Sequence, residues 1–269
     1  DWVARLLQWL LPEKTAYAIT RWKNIWFQRW IYWQAKKTPG FLRRKLLKMA
    51  RKDVGKDVDF DKHFVPSYSP WDQRLCLVPN SDFFHAIRDG AASIVTDTIT
   101  EFTESGIQLD SGEHLEADII VTATGLDLRV LGDVKISVDD EPVDLAKSFS
   151  YKSMMFSDVP NLVSTFGYIN ASWTLKADLT AEYSCRLLNH MAESGMRQCT
   201  PRLQAHERDM AGEDWIQGFS SGYIQRKMHL LPKQGPAEPW RNTQNYILDR
   251  KTIGEGPLED GCLQFTNRG

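Results

Sequence analysis

Arg74 is the side chain best suited to electrostatic chemistry in this sequence. It follows Trp71, Asp72 and Gln73 in a loop rich in proline and aromatic residues. Arginine stays protonated at neutral pH, so it can hold negative charge in place but cannot act as a base. Its neighbour Asp72 offers a plainer role, a salt bridge that ties the loop together. Spacing alone leaves both roles open.

A second stretch, DIIVTATGLD at 118–127, has the pattern of a strand that delivers backbone to a ligand. Its β-branched run predicts a buried strand over Asp118–Thr122, and Ala123, Thr124 and Gly125 follow where the strand ends. Glycine turns at this place often approach a nucleotide in α/β folds. Such turns are also common without a ligand, so a purely structural role remains an alternative.

A third stretch joins a predicted strand over Asn161–Phe166 to a helix that starts near Trp173. The first backbone N–H groups of a helix lack partners within the helix and carry partial positive charge. They can therefore bind an anion or an electron-rich ring. The candidate positions are Asn170, Ala171, Ser172 and Trp173.

Other common ligand motifs are missing from the sequence. It has no G-x-G-x-x-G and no Walker loop, and the pair Gly254 and Gly256 is followed by Glu259. The six histidines have no metal or catalytic spacing, and the four cysteines include no C-x-x-C pair. We therefore expect no metal, no nucleophilic triad, and a reduced, cytosolic protein.

Helices are predicted at the N-terminus. One covers Ala4–Lys37 with a break at Pro12, and a second basic helix begins after Thr38-Pro39-Gly40, with leucines 42, 46 and 47 on its buried side. On the first helix, tryptophans 22, 26, 30 and 33 recur at spacings of 4, 4 and 3, which places them on one face. A stripe facing the core is the favoured interpretation, and a membrane-interface face is the alternative.

Short strands and turns are predicted beyond residue 56. The stretch Asp57–Pro79 is predicted to be a loop, followed by a short helix over Ser81–Asp89 with Ser81 as N-cap. A long helix is expected from Trp173 to Glu193, ended by Gly195, and a short one over Tyr223–Leu230. Further strands are predicted at Ala92–Val95, Ile99–Thr103, Ile107–Leu109, Val134–Val138 and Val143–Leu145, with turns at Asp110–Gly112 and Asp139-Asp140.

Charge is distributed unevenly along the 269 residues. Asp1–Lys56 holds 14 Lys and Arg against 3 acidic residues, a net of +11, whereas the remainder has a net of −13. The aromatics do not alternate with these cations as in a nucleic-acid stacking platform, which disfavours nucleic acid as a partner. The sequence contains neither a signal-peptide pattern nor an apolar run of the ~20 residues that a membrane span needs. It begins with Asp, so we expect a piece of a longer chain.

Longer strings in the sequence resemble a known enzyme family. HFVPSYSPWDQRLCLVPNSDFFHAIRDG, EADIIVTATGLD and FGYINASWTLKADLTAEYSCRLLNHM are similar to the C-terminal half of flavin-containing monooxygenases. Within that family they resemble the Baeyer–Villiger branch, which includes the mycobacterial ethionamide-activating enzyme. RWKN and LPKQGPAEPWRNTQNYILD extend the resemblance over nearly the whole chain.

The resemblance implies an α/β chain that forms part of a two-dinucleotide-domain flavoprotein fold, with an N-terminal helical insertion and a mixed or antiparallel β region. Residues 1–56 would be the basic insertion and 57–117 the rest of the NADPH domain. Residues 118–195 would return to the FAD domain, and 196–269 would extend over the substrate pocket. The phosphate loops of the family lie earlier in its chains, which accounts for their absence here.

The resemblance also implies the chemistry. FAD and NADPH would be the cofactors, and O2 and a ketone, sulfide or amine the substrates, oxidised through a peroxyflavin. Arg74 matches the active-site arginine that stabilises anionic species. Gln73 stands where relatives place a lysine for NADPH, Ala123–Gly125 and Asn170–Trp173 would face FAD, and Trp240 would lie at the substrate pocket.

The sequence is also compatible with one alternative from another functional class. A non-catalytic half-fold could bind a membrane surface or a protein partner through the Trp-rich basic helices, so the location is cytoplasmic with or without membrane contact.

Overall fold

The computed structural model describes residues 1–76 and 78–267. The chain forms two compact units. Unit 1 combines Asp1–Tyr32 with the chain from Asp127 onward, and unit 2 is Trp33–Leu126. Both contain helices and antiparallel strand pairs, so the secondary structure is of the mixed α/β kind.

The N-terminal helices form as predicted. Helix α1 is Trp2–Leu10 and helix α2 is Glu13–Lys37. The break falls at Pro12, because proline lacks an N–H and disfavours helical backbone in the residue before it; Leu11 is extended. The Asp1 carboxylate accepts from the backbone N–H groups of Val3 and Ala4, which caps α1.

The tryptophan stripe of α2 is not a core-facing stripe. Trp22 packs against the core of unit 1, but Trp26, Trp30 and Trp33 are each more than half exposed. The residue of this helix that is buried in that core is instead Ile25, 5% exposed. A shared helix face does not decide whether that face meets the core, and here the packing of Ile25 turns the other side of α2 toward solvent.

Unit 2 contains three further helices and a small sheet. Helix α3 is Pro39–Val54, α4 is Phe60–Phe64, a 3-10 turn is Pro79–Ser81, and α5 is Asp82–Arg88. The buried hydrophobic residues of this unit include Val54, Phe60, Ile87 and Leu109, while the three predicted leucines of α3 are half-buried. Ser81 does not cap α5 with its side chain, because its hydroxyl donates to the Asp53 carboxylate at 2.6 Å.

The sheet of unit 2 has three antiparallel strands in the order β1-β2-β3. They are β1 (Ile99–Thr103), β2 (Gly106–Leu109) and β3 (His114–Glu116). The turn at Asp110–Gly112 lies between β2 and β3 as predicted, with Gly112 at a φ of 88°. The strand predicted at Ala92–Val95 is wrong, because no described segment pairs with it, whereas β3 was not predicted.

The long helix of unit 1 is α6, Trp173–Ser194. It ends at Gly195 in the left-handed region with a φ of 68°, which confirms the predicted glycine stop. Leu175, Leu179, Tyr183 and Leu187 form its buried stripe and pack with Tyr151, Met155 and Trp240. A smaller core gathers Trp215, Ile216, Phe219, Ile224, Met228 and Leu231.

The strands of unit 1 are short and paired antiparallel. Three pairs each join two strands that follow one another along the chain: β4 (Ser137–Val138) with β5 (Glu141–Pro142), β6 (Ser150–Tyr151) with β7 (Met155–Phe156), and β9 (Glu213–Asp214) with β10 (Lys233–Gln234). The fourth joins β8 (Gln198–Pro201) to β11 (Leu263–Thr266), which ties the C-terminal segment to the chain after α6.

Several predicted elements of unit 1 differ from the structure. Asp139 and Asp140 do form the turn, both with positive φ, but the strands on either side are two residues each and Val143–Leu145 is not a strand. The helix predicted at Tyr223–Leu230 is α7 (Gly222–Gln225) followed by a 3-10 turn at Met228–Leu230. Three further 3-10 turns are Val130–Asp133, Leu145–Lys147 and Ala205–Glu207. Near the C-terminus, helix α8 (Tyr246–Asp249) continues into the π-helical turn Arg250–Gly254.

The predicted strand at Asn161–Phe166 is also wrong. Its backbone is engaged one residue at a time: Asn161 N–H donates to the Cys199 carbonyl at 2.9 Å, and Ser164 N–H donates to the Met154 carbonyl at 2.7 Å. Two acceptors from different parts of unit 1 replace a single partner strand, so the segment is bound without forming a ladder.

A buried ion pair connects α6 to the C-terminal segment. Lys176 Nζ donates to Asp249 Oδ2 at 2.8 Å, and both side chains are less than 5% exposed. The same carboxylate accepts the Tyr168 hydroxyl at 2.6 Å and the Thr243 hydroxyl. Burial lowers the pKa of Lys176, and Asp249 opposes that shift. All the donors on Asp249 come from outside α8, so the pair holds several segments together.

Replacing Lys176 with Met should strongly destabilise unit 1, because it leaves Asp249 buried without its counter-charge. We expect a loss of about 3–5 kcal/mol in the free energy of unfolding, measured by urea titration. Arg202→Met is the control, since it breaks an ion pair with Asp158 whose side chains are 46% and 62% exposed. That variant should lose less than about 1 kcal/mol. Equal losses for the two variants would show that the buried pair does not hold the unit together.

Candidate functional site

The turn that leads into α6 is constructed around Gly167. A Cβ on this glycine would lie 2.2 Å from Cγ of Trp173, so only glycine lets the indole lie against the backbone here. Phe166 packs beside the same ring with a centroid separation of 5.1 Å. Trp173 is nevertheless 46% exposed. The first residue of α6 therefore presents a fixed, half-exposed indole at the helix N-terminus.

Long-range hydrogen bonds hold the rest of this turn. The Gln244 side-chain oxygen accepts from Ile169 N–H at 2.8 Å, and the Gln244 carbonyl accepts from the Asn170 side chain at 2.9 Å. Tyr168 is buried and donates to Asp249. The amide group of Asn170 is thus used within the protein, and any ligand contact from this residue would have to use its backbone.

The N-terminus of α6 is not capped by a side chain. Ser172 occupies the N-cap position, but its hydroxyl lies 2.8 Å from the Thr174 hydroxyl and makes no hydrogen bond to the backbone N–H groups of the first turn. Ala171 is half-buried and Trp173 is the first helical residue. The positive end of the helix dipole at Ser172 and Trp173 is accordingly not neutralised by a serine cap.

Trp240 lies in the core of unit 1. It is 1% exposed and meets Tyr151 edge-on at 5.6 Å between ring centroids. Among the described residues, neither its indole N–H nor that of Trp215, which packs on Phe166 at 4.6 Å between ring centroids, has a hydrogen-bond partner. An unpartnered buried N–H costs free energy, so these two indoles are a notable feature of this unit.

In unit 2, Arg74 is exposed at the end of a sharp turn. Trp71 has a φ of 65°, and Asp72 N–H donates to the Ser69 carbonyl at 3.1 Å. Asp72 pairs with Lys36 at 2.9 Å. Within the described residues no carboxylate forms a salt bridge with Arg74, so the predicted alternative, a tie between Arg74 and Asp72, is wrong. Gln73 forms an isolated bridge with Pro70 and is half-buried.

The stretch before Gly125 differs most from its prediction. Asp118–Thr122 forms no strand, and Ile119 and Val121 are 82% and 83% exposed. A strand needs a partner for its backbone groups, and no described segment supplies one here. Ala123 and Thr124 are exposed as well, and Gly125 has a φ of 118° that favours glycine. The buried strand is thus wrong for this structure, and the glycine turn is present.

The predicted site residues divide between the two units. Gln73, Arg74 and Ala123–Gly125 lie in unit 2, whereas Asn170–Trp173 and Trp240 lie in unit 1. The structure gathers Asn170 to Trp173 into one turn. Sequence reasoning missed Gln244 and Asp249, which hold that turn from more than seventy residues away. No local pattern marks them, since their partners are distant in sequence.

Two other features bear on possible ligands. An open groove of about 470 Å³ lies along the C-terminal part of α6, and none of the predicted site residues lines it. Its walls include His190, Glu259 and Phe265. Among the described residues, no group of three or more His, Cys, Asp or Glu side chains is placed to hold a metal ion. None of the described helices is long and apolar enough to cross a membrane.

The chain is similar over its whole length to curated flavoproteins. It is 47% identical over 270 residues to a probable FAD-binding monooxygenase, AlmA, of an Acinetobacter species, covering 100% of this chain and 54% of the relative. It is 45% identical over 268 residues to the FAD-containing monooxygenase EthA of Mycobacterium tuberculosis, again 54% of that protein. The putative FAD-containing monooxygenase MymA of the same organism is 43% identical over 266 residues.

The chain thus spans about half the length of the curated relatives it matches. No family model matches the chain.

Polar substitutions in the exposed stretch should leave the stability of this chain unchanged. We expect Val121→Ser to alter the free energy of unfolding by less than about 0.5 kcal/mol, because an exposed side chain loses no burial. The control is Leu109→Ala in the same unit, which is 4% exposed and should lose about 2–5 kcal/mol. Urea titration measures both. A loss at Val121→Ser comparable to that at Leu109→Ala would show that residues 118–122 are buried after all.

Proposed function

Because this chain is homologous from end to end to the C-terminal half of FAD-containing monooxygenases, we propose that it supplies that half of an FAD- and NADPH-dependent monooxygenase. The observation that carries the proposal is 43–47% identity along the whole chain to three differently named enzymes of this kind. The complete protein would have the two-dinucleotide-domain fold, with its phosphate-binding loops on the half that this chain does not match.

We assign the parts of the chain accordingly. Residues 1–56 form the helical insertion, 57–117 complete the NADPH domain, 118–195 return to the FAD domain, and 196–269 extend over the substrate pocket. Exposed apolar side chains at Ile119 and Val121 support the return at 118, since a stretch of this composition is suited to a buried strand once a partner strand is supplied.

The residues at the start of α6 fit a flavin. An N-terminus without a serine cap and a half-exposed indole held against Gly167 offer N–H donors and a flat apolar surface to a ring. FAD, when bound and reduced by NADPH, would supply the chemistry that activates O2. In unit 1, Asn170–Trp173 would bind and orient the ring, with a favourable dipole beside its electron-rich edge. In unit 2, Ala123–Gly125 are proposed separately as residues that contact FAD in the complete protein.

Arg74 would act on the reacting oxygen and substrate electrostatically. It is exposed and has no salt bridge to a described carboxylate, so its charge is available for a ligand. A fixed cation next to developing negative charge contributes about 3 kcal/mol in comparable oxyanion sites. Gln73, its neighbour in the chain, is proposed to lie on the NADPH side. In unit 1, Trp240 is proposed separately to lie at the substrate pocket of the complete protein. The substrate would be a ketone, a sulfide or an amine, and NADPH as reductant fits a cytoplasmic location.

The alternative function is a non-catalytic half-fold that acts by binding a partner. It differs from the enzyme in one measurable respect, because a non-catalytic protein would not need to form a flavin site even when the matching half is supplied.

A chimera tests the proposal directly. The N-terminal part of the Acinetobacter AlmA relative that this chain does not match would be joined to residues 1–269. We expect the chimera to purify with FAD and to oxidise NADPH in the presence of O2, while the chain alone should bind FAD weakly in a fluorescence titration, because it lacks phosphate loops. A folded chimera without FAD, or submicromolar FAD affinity of the chain alone, would contradict the proposal.

Arg74→Ala in the same chimera should separate reduction from oxygenation. NADPH oxidation should continue, since hydride transfer does not need this cation, whereas ketone or sulfide oxygenation should fall at least about 100-fold. Products are quantified by chromatography beside NADPH consumption. Arg74→Lys keeps the positive charge but not the planar guanidinium group. Its oxygenation rate should therefore lie between those of the parent chimera and of Arg74→Ala. Oxygenation by Arg74→Ala close to the parent rate would remove Arg74 from the proposed site.

A further inference from the structure

The N-terminal helices of unit 1 carry an apolar surface that meets solvent. On α1, Trp2, Leu6 and Trp9 are spaced by 4 and 3 residues, and their exposed fractions are 75%, 44% and 81%. On α2, Ile19, Trp26 and Trp30 are spaced by 7 and 4 residues, with exposed fractions of 43%, 55% and 53%. Each set has the spacing of a single helix face. We call these six residues the outward face.

Contacts on the other side of α2 keep this face outward. Ile25 is buried in the core, and Arg21 pairs with Asp178 at 2.7 Å. Arg29 donates to the side-chain oxygen of Asn245 at 2.7 Å. Helix α1 is held to α2 because the Asp1 carboxylate that caps α1 also pairs with Lys23. The two helices are therefore fixed by polar contacts that do not use the outward face.

The two helices that carry the outward face also carry cations. Arg5 lies on α1 and Lys14 and Lys23 on α2, and the Arg29 guanidinium lies 5.6 Å from the centre of the Trp26 ring. Residues 1–32, the part of these helices that belongs to unit 1, hold five Lys and Arg against two acidic residues, a net charge of +3. Six of the ten tryptophans fall in the first 33 residues. Tryptophan rings favour the boundary between lipid head groups and acyl chains, and basic side chains favour anionic lipid.

We propose that the outward face binds the surface of a bilayer that contains anionic phospholipid. Both helices would lie in the interface plane, with their indoles at the level of the head groups and the cations paired with phosphates. The charge argues for lipid over a second copy of the chain, since two copies would bring like-charged helices together. The inference is argued from α1 and α2 alone, and the half of the protein that this chain does not match is a competing occupant of the outward face. Vesicle binding that the chain shows and the folded chimera described above loses would assign the face to that half and overturn the inference.

Co-sedimentation of the whole chain with vesicles tests this inference. We expect binding to vesicles of equal phosphatidylcholine and phosphatidylglycerol, weak binding to phosphatidylcholine alone, and loss of binding as salt is raised. The variant Trp2→Ala, Trp9→Ala, Trp26→Ala, Trp30→Ala should lower the partition coefficient at least about tenfold, because four interfacial rings are removed.

A matched set of substitutions controls for general loss of surface hydrophobicity. Phe102→Ala, Ile119→Ala, Val121→Ala, Leu126→Ala removes four residues of unit 2 that are also more than half exposed. It should bind mixed vesicles like the parent chain. Equal loss in both sets, unchanged binding by the tryptophan set, or no binding by the parent at low salt would each overturn the inference.

A charge variant and a size measurement complete the test. Arg5→Gln, Lys14→Gln keeps every tryptophan and should bind mixed vesicles several-fold more weakly than the parent, which serves as the readout if the tryptophan set does not fold. Parent chains that self-associate in size-exclusion chromatography through the tryptophans, without vesicle binding, would assign the outward face to a second copy and overturn the lipid proposal.

Discussion

The buried pair between Lys176 and Asp249 is the constraint on which much of unit 1 depends. A charge removed from water is tolerated only when its partners satisfy it, and Asp249 receives donors from Lys176, Tyr168 and Thr243. These three residues belong to α6, to the turn before it, and to the C-terminal segment. One carboxylate therefore sets the positions of three pieces of chain that have few regular backbone contacts with one another.

Other side chains extend the same arrangement along α6. Arg186 donates to the carbonyls of Ile253 and Gly254 at 2.9 and 2.6 Å, and Lys152 pairs with Asp260 at 3.2 Å. The segment near residue 250 is mostly irregular, so side-chain donors satisfy backbone carbonyls that a sheet or a helix would otherwise pair. The proposed flavin-facing turn benefits, because Gln244 from this segment holds Ile169 and Asn170. A rigid support of this kind is what a cofactor site requires.

The chain exposes apolar side chains in two chemically different settings. Residues Ile119 and Val121 form a short run without a cation among them, as a strand that awaits a partner would. The outward face of α1 and α2 mixes indoles with Arg and Lys, as a lipid interface prefers. Exposed apolar side chains thus lead to two different proposals, because the neighbouring charges differ. We propose completion of the fold for the first and an anionic surface for the second.

Local signals in the sequence determined the ends of several elements and the resemblance to an enzyme family. Pro12 breaks the first helix, Gly195 ends α6, and Asp139-Asp140 makes a turn, since each of these effects acts on the backbone of adjacent residues. The candidate turn at Gly167 was also recognisable, because a strand-like run followed by glycine and a helix is a pattern within a few residues. The long motifs likewise needed no tertiary information.

Tertiary structure alone decided which faces and which partners the elements have. The Trp-rich stripe of α2 faces outward because Ile25 packs into the core. The run at 118–122 is not a strand, because no described segment pairs with it. The run at 161–166 is not a strand either, because its backbone donates to separate carbonyls instead of to one partner strand. Burial of Lys176, the long reach of Gln244 and the pairing of Asp72 with Lys36 all join residues far apart in sequence. Such contacts leave no local periodicity, since they depend on where the whole chain has folded.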